Sequence, residues 1–209
     1  MIRILIADDH AVVRQGLKQI VSTDKQMTIV GEVQNGAELL NFIRKDAVDI
    51  VILDISMPGR NGLEILKEIK RDYPFLPIIV LSMYPEDQYA VRAIKAGASG
   101  YMTKESAPEE LVEAIRKAYQ GGKYISPRVA ELLAEYVETK IVDQPHKLLS
   151  DREFEVFMML AAGKTVGKIS TDLNLSVKTV STYRTRILEK MQLSTNADIT
   201  RYALEFKLI

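Results

Sequence analysis

Five residues of this chain place reactive groups at the ends of short apolar runs. Asp8 and Asp9 follow Ile2 to Ala7, Asp54 follows an Ile-Val-Ile-Leu run, Ser82 closes Ile78 to Leu81, and Lys104 follows Gly100 to Thr103. Three carboxylates brought together repel one another, and a hard divalent cation with oxygen ligands relieves that repulsion. Mg²⁺ suits such a site because it accepts a few carboxylates and keeps water. A lysine and a hydroxyl at the same place would hold a second anion. Together these groups describe a phosphoryl site, in which metal and lysine neutralise charge on the transferring group while a carboxylate attacks. Singly, each residue has a plainer use: Asp9 as a cap for a helix starting near Ala11, Ser82 as a cap for the following loop, Lys104 as a solvated charge. Their recurrence at successive run ends, in order, favours the functional reading.

Such convergence needs parallel strands. Ile2–Ala7, Thr28–Val33, Asp49–Leu53, Ile78–Ser82 and Gly100–Thr103 read as strands, the third and fourth apolar enough to be buried on both faces. Helical patterns lie between them near 11–22, 36–45, 62–72, 86–96 and 108–120, with Gly62, Gly97 and Gly121 at element ends and Pro108 in a first turn. Five βα units predict a doubly wound, five-stranded parallel α/β domain over residues 1–121, with helices on both faces and its chemistry at the carboxyl edge of the sheet.

The remainder reads differently. Residues 122–147 are expected as a linker, with an amphipathic connecting helix over 127–140 and a flexible polar stretch, Asp143-Gln144-Pro145-His146-Lys147. Ser150-Asp151-Arg152-Glu153 is a capping-box signature that opens a small all-α domain over 148–209. Its helices are predicted near 151–162, 166–173, 177–191 and 196–206. The segment Thr165 to Met191 has the form of a helix-turn-helix. At about 100° per residue, Val180, Tyr183, Ile187 and Met191 make one buried stripe of the second helix. Lys178, Thr182, Thr185 and Glu189 then face outward, with Ser181 and Arg186 on the flanks, as a helix entering a major groove requires. Arg184 lies beside the buried stripe and is expected to reach for a phosphate or a partner.

Composition narrows the classes. Among 209 residues there is no cysteine or tryptophan, and 28 basic residues balance 28 acidic ones. Disulfide frames, zinc–thiolate sites and thiol nucleophiles are excluded. With no apolar run near the roughly 18 residues that span a bilayer, a soluble, cytoplasmic protein without a membrane partner is expected. The neutrality conceals a gradient: residues 1–120 carry 15 basic and 17 acidic groups, and 150–209 carry 9 and 7. Between Lys164 and Lys190 six basic residues face two acidic ones, a weak electrostatic footprint for a polyanion.

The paired Asp8-Asp9, Asp54-Ile-Ser-Met-Pro58, Ser82 and Tyr101-Met-Thr-Lys104 resemble, as a set, the flavodoxin-like receiver domain of two-component response regulators, over about residues 1–120. The resemblance implies that Asp54 accepts a phosphoryl group and that Asp8 and Asp9 hold Mg²⁺ with Asp54 and the Ser56 carbonyl. It further implies that Ser82 and Lys104 bind the phosphoryl oxygens and that Tyr101 is an aromatic switch. Glu105 departs from the pattern, since many receivers have proline there. Leu149-Ser-Asp-Arg-Glu-Phe-Glu-Val156, Ala162-Gly163-Lys164 and Thr179 to Lys190 resemble the LuxR-type helix-turn-helix of the NarL/FixJ response regulators, over about 148–209. Lys178, Ser181, Thr182, Thr185 and Arg186 are the DNA-contact candidates, although many relatives carry lysine at 181 and glutamate at 168. In that family the last helix often contributes to a dimer, which makes Ile199, Tyr202, Ala203 and Phe206 either dimer or core residues.

The expected function is a phosphorylation-activated, DNA-binding transcriptional regulator and not an enzyme. Its expected partners are a sensor histidine kinase, promoter DNA, RNA polymerase, and a second copy on phosphorylation or DNA binding. Two rivals stand beside it. A Mg²⁺-dependent phosphatase could use the same crevice, but haloacid-dehalogenase-like enzymes want Asp-x-Asp where this chain has Asp54-Ile55-Ser56. A regulator acting by protein contact alone would show no salt-dependent DNA binding. His10 and His146 do not form a metal cluster in the sequence.

Overall fold

A computed structural model describes residues 1–138 and 144–209, which divide into the units Met1–Ala134 and Glu135–Ile209. In the first unit β1 (Ile2–Ala7), β2 (Met27–Val33), β3 (Ile50–Asp54), β4 (Ile78–Ser82) and β5 (Gly100–Thr103) form one sheet in the order β2-β1-β3-β4-β5. Every neighbouring pair is parallel. The chain leaves β1 toward β2 and returns on the other side to β3, so the sheet changes direction between β1 and β3, where doubly wound sheets open a crevice. Helices α1 (Ala11–Ser22), α2 (Gly36–Lys45), α3 (Gly62–Asp72), α4 (Glu86–Lys95) and α5 (Ala107–Tyr119) connect the strands. All residues of β3 and β4 are buried, which accounts for their uninterrupted apolar sequence. Ile4 and Ile6 of β1 pack in one core with Leu17 of α1 and Leu111 of α5.

Element existence agrees with the sequence reading, and element ends shift by a residue or so. The third strand is Ile50–Asp54 and not Asp49–Leu53. Asp49 stands just before it, with its amide donating to the Arg3 carbonyl at 2.9 Å and its side chain accepting from the Arg3 amide at 2.8 Å. Asp54 is thus the last strand residue, in register with Leu81 of β4. Gly62 proves to be more than an end marker. A Cβ there would stand 2.4 Å from Ile55 Cα and 2.8 Å from Ile55 O, so only glycine lets α3 start against the turn that follows Asp54.

Helix α6 (Pro127–Glu138) runs across the division between the units, and positions 139 and 140 of the expected connecting helix lie outside the described residues, as does Asp143. The second unit contains α7 (Asp151–Ala161), α8 (Val166–Asp172), α9 (Val177–Met191) and α10 (Asn196–Glu205). The expected capping box at Ser150 and Glu153 is present, and Thr195 with Asp198 forms another. One expectation fails. Pro145, His146 and Lys147, read as part of a flexible stretch, belong to a 3₁₀ turn, Pro145–Leu148, that buries His146. The His146 ring lies edge-on to Tyr202 and Phe206, and its Nδ1 is 2.8 Å from the Tyr202 hydroxyl. Ile199 and Ala203 of α10 are buried in the core of their own domain, and half-buried Tyr202 stacks on half-buried Phe206 just past the helix end.

Gly62→Ala should destabilise the receiver by about 1–3 kcal/mol, as overpacking does, with little effect on the Glu135–Ile209 unit. Thermal unfolding followed by hydrogen exchange in each unit would check this.

Candidate functional site

The three strand ends β1, β3 and β5 bring Asp8, Asp54 and Lys104 into direct contact. The Lys104 ammonium lies 2.6 Å from Asp54 Oδ2 and 2.7 Å from Asp8 Oδ2, and all three side chains are almost fully buried. The other Asp54 oxygen accepts the Ser56 amide at 2.8 Å. Asp8 Oδ1 accepts the His10 amide at 2.8 Å, and the exposed His10 ring stands 2.9 Å from Asp9. Ligand atoms of Asp8, Asp9, His10 and Asp54 lie within 4.8 Å of one another. The oxygen-rich donor set fits a hard divalent cation, because one ammonium cannot neutralise three carboxylates.

That imbalance is visible in the proton affinities. Burial is the largest influence on Asp54 and raises its pKa above the ordinary carboxylate value; Lys104 and the Ser56 amide oppose it, and Asp8 adds to it. Burial pulls Lys104 down, but Asp54 and Asp8 more than offset this and hold it above the usual lysine value. The pocket therefore keeps its lysine charged while straining the ionised state of the carboxylate it contacts.

Ser82 and Tyr101 both bond to the main chain of a residue that motif reasoning missed. Ser82 Oγ accepts the Tyr84 amide at 3.0 Å, and the Tyr101 hydroxyl donates to the Tyr84 carbonyl at 2.8 Å. Tyr101 is fully buried, and that burial pushes its phenol pKa upward. The Lys104 amide donates to the Ser82 carbonyl at 2.8 Å, which closes the link between β4 and β5. Tyr84 escaped the sequence reading because its part is played by main-chain atoms, which any residue type supplies.

In the second unit α8 and α9 meet at a turn where Asn174 adopts φ 52°, left-handed backbone that asparagine tolerates. Val180, Ile187 and Met191 are buried and Tyr183 is half-buried, as the stripe requires. Lys178, Ser181, Thr182, Thr185 and Arg186 are all exposed along the opposite side of α9. Thr182 and Thr185 donate to the carbonyls of Lys178 and Ser181, which leaves their hydroxyl oxygens able to accept. The basic surplus is smaller than its sequence suggests. Lys164 and Lys168 pair with Asp172 at 2.8 and 3.0 Å, and Lys190 pairs with Glu153 at 2.6 Å. Burial disfavours charged Glu153, but Lys190 and the Ser150 cap overcome it and set its pKa below normal. Arg184 Nε donates to Asn196 at 2.7 Å and so ties α9 to α10. Lys178 and Arg186 form no ion pair among the described residues.

With this geometry in place, the comparisons are consistent from end to end. The family profile of the response regulator receiver domain matches residues 4–116, and that of the bacterial regulatory proteins of the luxR family matches residues 147–203. The chain belongs to the two-component response regulators, as a receiver joined to a LuxR-type helix-turn-helix that binds DNA and regulates transcription. It is 37% identical to the response regulator UvrY of Escherichia coli over 209 residues, covering 100% of this chain and 96% of that one. It is 36% identical to the response regulator GacA of Pseudomonas aeruginosa over 210 residues, with 100% and 98% covered. A solved structure of RcsB from Salmonella enterica serovar Typhimurium, bound to promoter rprA with the phosphomimetic BeF3⁻, aligns with a TM-score of 0.68 at 29% identity, covering 96% of this chain and 97% of that one. Among the described residues, no helix is long and apolar enough to cross a membrane.

Because its folded pKa is raised, ionised Asp54 detracts from stability at pH values above its ordinary value, and the penalty disappears when it is protonated. Asp54→Asn should therefore raise the receiver's thermal midpoint at neutral pH. The difference should shrink as the pH falls through the Asp54 pKa, as calorimetry at a series of pH values would show.

Proposed function

We propose that Asp54 is the phosphoryl acceptor and that its phosphorylation by a sensor histidine kinase in the cytoplasm drives this regulator onto promoter DNA as a homodimer. The observation that carries the reading is the Lys104 ammonium shared between Asp54 and Asp8 at 2.6 and 2.7 Å in a buried pocket. Asp8, Asp9, Asp54 and the Ser56 carbonyl would hold Mg²⁺, which when bound supplies charge neutralisation for the transferring phosphoryl group. The Asp54 oxygen forms a bond to phosphorus as the P–N bond of the donor phosphoimidazole breaks and the imidazole leaves. Lys104 then exchanges its Asp54 contact for a phosphoryl oxygen, and the Ser82 hydroxyl turns to donate to another. That turn ends the hydrogen bond that the Tyr84 amide donates to Ser82 Oγ, and Tyr101, held on the Tyr84 carbonyl, responds to the loop's new position.

Phosphorylation acts by biasing an equilibrium that exists without it. A shift from 1% to 99% of the active state needs about 5.5 kcal/mol, part of which pairing of two copies on adjacent half-sites contributes. On DNA, Lys178 and Arg186 are the phosphate or guanine contacts, and Ser181, Thr182 and Thr185 lie at base edges. The RcsB structure on its promoter supports this use of the helix-turn-helix. A phosphatase reading gains nothing from the pocket, since the residue two beyond Asp54 is Ser56, whose amide orients Asp54.

Incubation with acetyl phosphate and Mg²⁺ should label wild-type protein on the peptide that contains Asp54, as read by mass spectrometry, and should leave Asp54→Asn unlabelled. In duplex binding, Lys178→Ala and Arg186→Ala should each lower the slope of log affinity against log salt by about one. Label on Asp54→Asn, or an unchanged salt slope in both DNA-face variants, would refute the corresponding assignment.

A further inference from the structure

The acidic turn after β1 is held from behind by a residue outside the phosphoryl pocket. Arg14, on the first turns of α1, donates from Nη1 to the main-chain carbonyl of Asp8 at 2.8 Å. Its Nε donates to Glu32 Oε2 at 3.2 Å. Glu32 is itself fixed: it sits in β2 opposite Ile6 of β1, and Lys18, one turn further along α1, forms an ion pair with its second oxygen. The Lys18 hydrogen bond is the largest influence on Glu32 and holds its pKa below the ordinary glutamate value. The Asp8 amide donates to Val33 O at 3.1 Å, so both main-chain polar groups of Asp8 are tied to groups anchored on β2 or α1. The Arg14 side chain is 11% exposed, which leaves it little freedom to do anything else.

We propose that Arg14 is a positioning residue, whose bridge between the Asp8 carbonyl and Glu32 sets the Asp8-Asp9 turn in the geometry that receives the divalent cation. The proposal rests on the reading of Asp8, Asp9 and Asp54 as a cation site. The physical reason is directional. Asp8 ends a strand and opens a loop, so its carboxylate can point into the crevice only if the peptide behind it is kept from rotating. Arg14 supplies a planar fork with two fixed donors for two acceptors, a task for which a lysine's single nitrogen is a poor substitute. Partners behind metal ligands typically alter affinity about 10- to 100-fold.

Charge alone predicts the opposite sign. Removing a cation from the vicinity of the carboxylates should tighten Mg²⁺ binding, whereas losing the fork should weaken it. The test is titration of full-length, unphosphorylated protein with Mg²⁺ by isothermal calorimetry, for wild type, Arg14→Met and Arg14→Lys, with circular dichroism melts to establish that each is folded. Both variants should bind Mg²⁺ about tenfold more weakly. Unchanged or tighter binding by folded Arg14→Met would overturn the proposal. Should Arg14→Met fail to fold, Arg14→Lys decides, and wild-type affinity in it would overturn the proposal in the same way. Absence of Mg²⁺ binding by wild type would be a different failure, that of the cation site itself.

Discussion

The receiver's pocket is organised around one lysine between two buried carboxylates. Lys104 lies 2.6 Å from Asp54 and 2.7 Å from Asp8, with Asp9 nearby and one positive charge to serve them all. A buried charge imbalance of this kind is costly unless further charge or hydrogen bonding compensates it. An oxygen-rich pocket with this imbalance suits a hard divalent cation, and the proposed phosphoryl transfer would relieve it by giving Lys104 a second anion to contact. The elevated pKa of Asp54 and the firmly charged Lys104 express the same imbalance from its two sides.

The sheet exists in the form that creates this contact. Asp8, Asp54 and Lys104 are far apart in sequence, and a parallel order with β1 beside β3 and β4 between β3 and β5 brings their strand ends to one edge. The same edge holds a second linkage. Ser82 and Tyr101 both bond to the main chain of Tyr84, so the proposed turn of the Ser82 hydroxyl toward a phosphoryl oxygen would act on the loop that pins Tyr101. On the DNA side, capping and ion pairing settle most of the basic residues into the fold, and Lys178 and Arg186 are left facing outward without ion pairs among the described residues. Affinity resting on so few charges per subunit suits the proposed pairing of copies on DNA.

The legible parts of the chain were those with a periodic or side-chain signature. Two nearly continuous apolar runs announced buried parallel strands, and the order of all five predicted strands placed Asp8, Asp9, Asp54, Ser82 and Lys104 at one edge. The stripe of α9 followed from helical spacing, and its Val180, Ile187 and Met191 are buried as expected. What escaped notice acts through the main chain or across distance. Tyr84 takes part through its own peptide groups, which leave no trace in residue type, and Arg14 bonds to the Asp8 carbonyl, a partner that no side-chain motif announces. His146 was hidden in a polar string because hydropathy ignores that an imidazole bonded to Tyr202 packs like an aromatic ring. The apparent charge surplus near α9 overcounted because Glu153, the partner of Lys190, lies outside the window in which the charges were summed.

The proposed exchange of Lys104 from Asp54 to the phosphoryl group is the step on which the account turns. Its most direct test is the affinity of a promoter duplex for wild type and for Lys104→Ala, by fluorescence anisotropy, before and after acetyl phosphate treatment, with the extent of Asp54 labelling determined in each sample. Wild type should bind more tightly once labelled, and Lys104→Ala, compared at equal labelling, should show little or no gain. A gain in Lys104→Ala equal to that of wild type would contradict the account.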